Sequence, residues 1–221
     1  MMSELIMEGV CYRYPGTKKE ILTGVDAVFR PWTVTTIMGR SGAGKSTTLY
    51  LLAGLDSPTA GRILYGGTPL QRSMLDSYRR TEAATIAQNY LLFPTRTVLE
   101  NVLYPLLLSG MSKSEAIAEA KGCLGSVGIP LELYHRLPAK LSGGEQQRVA
   151  IARALASHAK VITADEPTGN LDEENAELVM KLLKKLAHEQ GKTVIIVTHD
   201  SAVAEESDLV LRLKGGKLKS E

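Results

Sequence analysis

The sequence predicts an α/β fold, and three observations predict it. Val34–Met38 is a short apolar, β-branched run, a glycine-rich loop follows at once, and helix-forming Ser46–Ala53 comes next and stops at Gly54. Towards the other end, strand-like Lys160–Ala164, helix-like Glu173–Gln190 and strand-like Thr193–Thr198 resume the same alternation. Between these regions, residues from about 90 to 157 read as a mostly helical insertion. A chain of 221 residues, 44% hydrophobic and 23% charged, can bury a core without staples, so residues 1–221 are expected to form one domain.

Taken in order, residues 5–14 alternate partly and end at the turn signal Pro15-Gly16, and Val25–Arg30 then reads as a second strand. In the insertion, Ser112 and Glu115 fit a capping box. Ala116, Ala120, Cys123, Leu124 and Val127 follow at helical spacing, which places Cys123 in the core. A second helix is expected from about Gly144 to Ser157. Glu173–Gln190 carries Ala176, Val179, Leu182, Leu183 and Leu186 on one face and ends at Gly191. The C-terminal KGGKLKSE is expected to fray.

Several classes are disfavoured. A net charge of +2 and 5% aromatic residues argue against a nucleic-acid partner. Cys11 and Cys123 form no CxxC pair, which fits a reducing compartment better than a disulfide framework. The N-terminus lacks a basic stretch followed by an apolar core, so no signal peptide is expected. No run approaches the ~18 apolar residues of a membrane span.

The glycine loop carries the first chemistry. Residues 39–47, GRSGAGKST, satisfy G-x-x-x-x-G-K-[ST]. Gly39, Gly42 and Gly44 let the backbone curl so that successive N–H groups, through Arg40, Ser41, Ala43 and on to Thr47, face one concavity at a helix N-terminus. Lys45 can reach the β- and γ-phosphates of a nucleoside triphosphate, and the Ser46 hydroxyl can complete a Mg²⁺ shell.

Residues 161–168, VITADEPT, are an apolar strand ending in two carboxylates. Asp165 sits where a Mg²⁺-ordering carboxylate belongs, and Glu166 can polarise an attacking water as a general base. A lone Asp-Glu pair would otherwise be a solvated strand end. Residues 141–148, LSGGEQQR, place Ser142, Gly143 and Gly144 just before a helix, which makes a second anion nest. One domain needs one such nest for one nucleotide, so the second would serve a nucleotide held by another copy of the chain. The simpler alternative is an N-cap, Ser142 with Glu145, which leaves Gly143-Gly144 and Gln146-Gln147-Arg148 without a role.

With those residues in place, GRSGAGKST, Gln88, LSGGEQQR, DEPTGNLD and His199 together resemble the Walker A, Q-loop, signature, Walker B/D-loop and switch histidine of an ABC-type ATPase, in family order over residues 14–200. The resemblance implies a P-loop NTPase fold with a RecA-like core, an N-terminal antiparallel β subdomain and a helical insertion subdomain. It implies ATP and Mg²⁺ as cofactors and a head-to-tail homodimer closing over two ATP, each held by Walker A of one copy and Ser142–Glu145 of the other. Gln88 would contact Mg²⁺ and the attacking water, with Ser46 and Asp165 as further metal ligands. His199 would hold the γ-phosphate, and Asp172 would bridge to the opposing monomer. Tyr14 would stack on adenine, with Tyr12 as a rival and strand packing as the alternative for either ring. His135, His158 and His188 match nothing and are expected at the surface. Two positions depart from the family pattern. Thr163 is polar in the Walker B strand and needs a hydrogen-bond partner if buried, and Arg30-Pro31-Trp32-Thr33 replaces a glycine-containing turn.

The resemblance further implies an active ATPase coupled to transport, working with an integral-membrane permease subunit as a cytoplasmic protein peripheral to the inner face of the cell membrane. The apolar stretch Asn89–Pro94 would belong to a socket for a permease helix, or be buried within the helical subdomain. DEPTGNLD and LENVLYPLLL look like the group serving lipoprotein release, macrolide or peptide export. From the short stretch after Asp200, no regulatory C-terminal domain is expected. The alternative is a non-transporting member that signals through a membrane partner, as cell-division members do.

Overall fold

The structure is a computed structural model that describes residues 3–220. Met1, Met2 and Glu221, which belong to the terminal stretches read above, lie outside the described residues. β1 (Leu5–Tyr12) and β2 (Leu22–Phe29) pair antiparallel, β3 (Thr33–Met38) runs through the glycine loop into α1 (Lys45–Leu52), and β4 (Ala60–Tyr65) and β5 (Thr68–Pro69) return to the other edge of β1. α2 (Leu75–Thr81) precedes β6 (Ala83–Ile86), and the helices α3 (Val98–Leu108), α4 (Lys113–Ser126) and α5 (Gly143–Ala156) follow. β7 (Val161–Asp165), α6 (Glu173–His188), β8 (Thr193–Thr198), the short α7 (Ser201–Glu205), β9 (Leu209–Lys214) and β10 (Lys217–Ser220) complete the order.

The antiparallel sheet has the order β2-β1-β4-β5. Along β1 the buried positions are Leu5, Met7, Val10 and Tyr12, so the alternation slips by one residue at Gly9. Gly9 takes φ 56° there, and the resulting bulge keeps the apolar side inward. The second sheet, β10-β9-β3-β8-β7-β6, is parallel except for its β10 edge. Its central strands are buried on both faces, which explains their β-branched, largely uncharged sequences. In β8, Val194 and Ile196 pack into a core shared with α3, α4, α5 and α6, while Ile195 and Val197 pack into a second core with α1 and the antiparallel sheet. α1 therefore lies between the two sheets, and the helical insertion covers the opposite face.

The predicted elements are present, with ends displaced by one to three residues, the most at the start of β2, which begins at Leu22 and not at Val25. The exception is the C-terminus, where Lys214–Ser220 does not fray. It forms the β9–β10 hairpin through a Gly215-Gly216 turn with both φ positive, at 58° and 73°, as a two-residue turn of the primed type requires. The Gly216 carbonyl accepts the Thr23 N–H at 2.9 Å, which ties the hairpin to the first sheet. Cys123 is only partly buried at the edge of the helical core, and burial raises its thiol pKa. At α4, Ser112 caps the helix by accepting the Glu115 N–H. The reciprocal capping boxes are at Thr97/Glu100 and Ser142/Glu145. Thr163 is fully buried and finds its partner in the Thr85 hydroxyl, 3.0 Å away across the β6–β7 ladder. In the Arg30–Thr33 turn, Trp32 itself adopts the left-handed conformation, φ 65°, with its ring packed over Gly191.

Candidate active site

Because β3, β8, β7 and β6 are parallel neighbours, the loops leaving their C-terminal ends emerge at one edge of the sheet. These loops follow Met38, Thr198, Asp165 and Ile86, and they bring together a cavity of about 550 Å³. Tyr14, Lys45, Gln88, Asp165, Glu166 and His199 line it, with Ile21, Ser41, Gly42, Gly44, Ser46 and Thr47. Strand order thus brings Lys45, Gln88, Asp165, Glu166 and His199 together from distant parts of the sequence, and the β1–β2 loop adds Tyr14 and Ile21 from the other sheet.

The floor is the glycine loop. Gly44 takes φ 103°, and a Cβ there would stand 2.6 Å from the Ile21 side chain, so only glycine fits. Gly39 is constrained by contact: a Cβ would lie 2.9 Å from the Leu213 carbonyl of β9. The Ala43 N–H closes a turn onto the Arg40 carbonyl at 3.1 Å. Lys45 opens α1 and is 9% exposed. Its Nζ donates to the Gly39 carbonyl at 2.9 Å and lies 3.9 Å from Glu166 Oε1. The next residue, Ser46, donates its hydroxyl to Asp165 Oδ1 at 3.2 Å, which joins a hydroxyl and a carboxylate from opposite walls. Burial raises the Asp165 pKa, opposed by the hydrogen bond from Ser46.

Glu166 follows β7 in the left-handed region, φ 44°, with its N–H bonded to the Val197 carbonyl at 2.9 Å. A non-glycine residue there is strained by about 1–2 kcal/mol. Its carboxylate is fixed at both oxygens: Thr198 donates to Oε2 at 2.8 Å, and His199 Nδ1 lies 2.9 Å from Oε1. Thr198 was invisible to motif reasoning, since it ends an apolar strand like any β-branched residue. Gln88 follows β6, and its carbonyl accepts from Asn170 Nδ2 at 3.4 Å.

The two tyrosines separate cleanly. Tyr12 is 4% exposed, its hydroxyl donates to Asp56, and its pKa is pushed up to about 12, chiefly by burial. Tyr14 is 44% exposed at the cavity mouth, edge-on to Tyr12, and its hydroxyl shares a 2.7 Å hydrogen bond with Thr47.

Ser142, Gly143, Gly144, Glu145 and Asp172 do not line this cavity. Ser142 caps α5, and the Glu145 carboxylate accepts the Ser142 N–H at 2.7 Å, so both partners of the N-cap alternative are in place. Gly144 has a packing reason that the sequence did not show. A Cβ on it would come within 2.2 Å of Asn175 Oδ1. Asn175 accepts from Arg148 Nη1 at 2.9 Å and donates to the Asp172 carboxylate, while Asp172 caps α6 through the Asn175 N–H. These bonds hold Asp172 below the usual carboxylate range, the backbone bond foremost. Asn175 thus links the start of α5 to the start of α6. His158 and His188 are surface residues, each paired with a carboxylate, Glu119 and Asp208 respectively.

The family profile described as ABC transporter matches residues 22–169. The chain belongs to the ABC transporter family. It is 40% identical over 205 residues to the lipoprotein-releasing system ATP-binding protein LolD of Geobacter metallireducens, covering 91% of each. It is 44% identical over 204 residues to the uncharacterized ABC transporter ATP-binding protein YbbA of Escherichia coli K12, covering 91% of this chain and 89% of that one. Among solved structures, the dimeric bacterial ABC transporter cassette MJ0796 superposes with a TM-score of 0.89 at 38% identity, covering 98% of this chain and 97% of that one. The same cassette in a dimeric post-hydrolysis state with ADP and Pi superposes equally well, at 37% identity. This chain is accordingly an ATP-binding, ATP-hydrolysing cassette of the ABC family. No helix among the described residues is long and apolar enough to cross a membrane.

Proposed function

We propose that this cassette is the motor subunit of a transporter of the lipoprotein-release type, acting as a head-to-tail pair of copies that closes over two ATP. Residues 1–221 form one domain in this reading, with residues 90–157 as its helical insertion. The observation that carries it is the meeting of Lys45, Ser46, Asp165, Glu166 and His199 around one cavity. Tyr14 supplies an exposed ring at the mouth for adenine. Gly39 to Thr47 present backbone N–H groups to the phosphates, and Lys45 exchanges its Gly39 carbonyl for phosphate oxygens.

The Ser46 hydroxyl and Asp165 carboxylate, already 3.2 Å apart, are hard oxygen donors of the kind Mg²⁺ takes, with Gln88 on the same cavity wall. Those residues would hold Mg²⁺, which when bound neutralises charge on the β- and γ-phosphates. Glu166 takes a proton from water as the water oxygen attacks the γ-phosphorus. The bond to the β–γ bridging oxygen breaks, and ADP and phosphate result. Thr198 and His199 fix the Glu166 carboxylate in its strained position, and His199 also faces the γ-phosphate. In the closed pair, Ser142–Glu145 of the second copy complete the anion site and Asp172 bridges the copies.

A second cavity, of about 670 Å³, is lined by Phe93, Tyr104, Pro105, Leu108, Arg79 and Arg80 among others. Phe93 is exposed there, and Leu91, two residues earlier in the chain, is exposed as well, which favours the permease socket over burial in the helical insertion. The subunit is then cytoplasmic and peripheral to the membrane that holds its permease. The similarity to chains named LolD supports the lipoprotein-release assignment. Lys45→Ala should weaken ATP binding by at least tenfold, measured with a fluorescent ATP analogue, and unchanged affinity would refute the phosphate-loop assignment. Capture from solubilised membranes followed by mass spectrometry identifies the permease.

A further inference from the structure

We propose that Arg153 is a positioning residue whose guanidinium holds the turn after Gln88 in its left-handed form and thereby sets where Gln88 stands in the nucleotide cavity. The proposal rests on the assignment of Gln88 to the hydrolytic site.

Arg153 lies in the last turn of α5, the helix that begins at Ser142-Gly143. Its Nη1 donates to the Leu91 carbonyl at 2.6 Å and its Nη2 to the Tyr90 carbonyl at 3.1 Å. The guanidinium carbon lies 6.0 Å from the centroid of the Phe93 ring. Among the described residues no carboxylate pairs with it. A largely desolvated cation without a counter-charge is held here by two carbonyls and one ring face, and a planar fork suits that task where an ammonium would not.

The turn it grips needs holding. Tyr90 and Leu91 are consecutive bulky residues at φ 59° and 47°, a region such side chains occupy only when their surroundings impose it. The local bonds Tyr90 N–H to the Ala87 carbonyl and Leu91 N–H to the Asn89 carbonyl tighten the turn but do not tie it to the body of the protein. Beyond the turn, the fully buried Asn101 anchors the chain by accepting the Phe93 N–H and donating to the Phe93, Arg96 and Thr97 carbonyls. Between Gln88 and that anchor, Arg153 supplies two of the ties to a neighbouring element. Tyr90 also reaches back to the start of the same helix, where a Cβ on Gly143 would lie 3.0 Å from its hydroxyl. Arg153 faces the 670 Å³ groove as well, so one side chain touches both the groove wall and the segment that leads to Gln88.

The test is steady-state ATP hydrolysis by the full chain for Arg153→Met and Arg153→Lys, with a thermal unfolding curve for each. Misplacing Gln88 without touching the nucleotide should lower kcat by about 10–100-fold and leave KM within about twofold. A purely structural role would instead lower the unfolding temperature and leave kcat of the folded fraction at the wild-type value. Placing glycine at position 91 in the Arg153→Met background, Leu91→Gly, makes the left-handed turn accessible without the guanidinium and should restore part of the lost kcat. Should Arg153→Met fail to fold, Arg153→Lys decides the matter, since it keeps charge and stem but cannot fork. A slow Arg153→Lys with a wild-type unfolding transition supports the proposal, and a wild-type kcat in either variant overturns it. Gln88→Ala is the control for the underlying assignment. If Gln88→Ala is slow and the Arg153 variants are not, only the present proposal fails. A fast Gln88→Ala removes the assignment itself.

Discussion

Gly144→Ala is the substitution whose consequence the structure defines most narrowly. The new methyl would stand 2.2 Å from Asn175 Oδ1 and 2.4 Å from its Cγ, so the Asn175 side chain must swing away. It then loses the bond from Arg148 Nη1, 2.9 Å long, and its contacts with the Asp172 carboxylate. Arg148 Nε is buried and already without a partner, so its guanidinium has little to fall back on. A hydrogen bond to a charged group contributes about 1.5–3 kcal/mol, while alanine gains about 0.5–1 kcal/mol over glycine in a helix. The net loss is about 1–2 kcal/mol, which for a chain of this size lowers Tm by about 2–8 °C. Urea unfolding of Gly144→Ala, Asn175→Ala and the double variant measures it. Asn175→Ala removes the bond and the two nearest atoms of the obstacle but leaves its Cβ 3.0 Å away, so adding Gly144→Ala to it should cost clearly less than Gly144→Ala alone. Additive losses in the double variant would refute the packing argument. Turnover then separates two roles for the glycine: a double variant as active as Asn175→Ala assigns Gly144 to packing, and an inactive one assigns it to the nucleotide as well.

Two other outcomes follow from the partly buried carboxylate of Asp165 and the packing at Gly191. Burial raises the Asp165 pKa, so its ionised form is less favourable in the folded chain than in the unfolded one. Stability is therefore fully present below the unfolded pKa of about 3.9, falls as pH rises past it, and the loss is complete above the folded value. Asp165→Asn, which keeps the acceptor for Ser46, should therefore be more stable than the wild type at pH 8, with a smaller gap at pH 4. A gap that widens towards pH 4 contradicts the sign. Gly191→Ala puts a methyl 2.8 Å from Trp32 Cζ2 at a position with φ 68°. A loss of at least about 1–2 kcal/mol is expected from the backbone alone. Because the chain has a single tryptophan, a shifted emission spectrum of the folded state reports the displaced ring directly.

Much of this was legible because the signals were local or periodic. The glycine loop, the acidic strand end and the buried strands of the parallel sheet each announce themselves in a window of a few residues. Strand order then brings Lys45, Gln88, Asp165, Glu166 and His199 to one edge without further instruction. What escaped was set by tertiary contact. The Lys214–Ser220 hairpin looks polar and terminal, and it is ordered by its glycine turn and its tie to Thr23. β4 buries only Ile63 and Leu64, side by side, and β6 has only four residues, so neither shows a periodic signal. Asn175 and Arg153 look like ordinary helix-surface residues until the helices they sit on are placed beside α5 and the turn after Gln88. The left-handed backbones of Trp32, Tyr90, Leu91 and Glu166 contradict local preference and are imposed by their surroundings.

The central claim is that each ATP is held between the glycine loop of one copy and Ser142–Glu145 of another. Glu166→Gln lowers turnover by about 10²–10⁴-fold through loss of the general base, so ATP stays in place and the assembled state accumulates. The decisive measurement is the mass in solution of Glu166→Gln by light scattering with ATP and Mg²⁺, beside the same chain carrying Ser142→Arg. The account predicts twice 23.9 kDa for Glu166→Gln with ATP, and the single-chain mass for the Ser142→Arg version even though it still binds nucleotide. A single-chain mass for Glu166→Gln with ATP bound, or a dimer indifferent to Ser142→Arg, would contradict it.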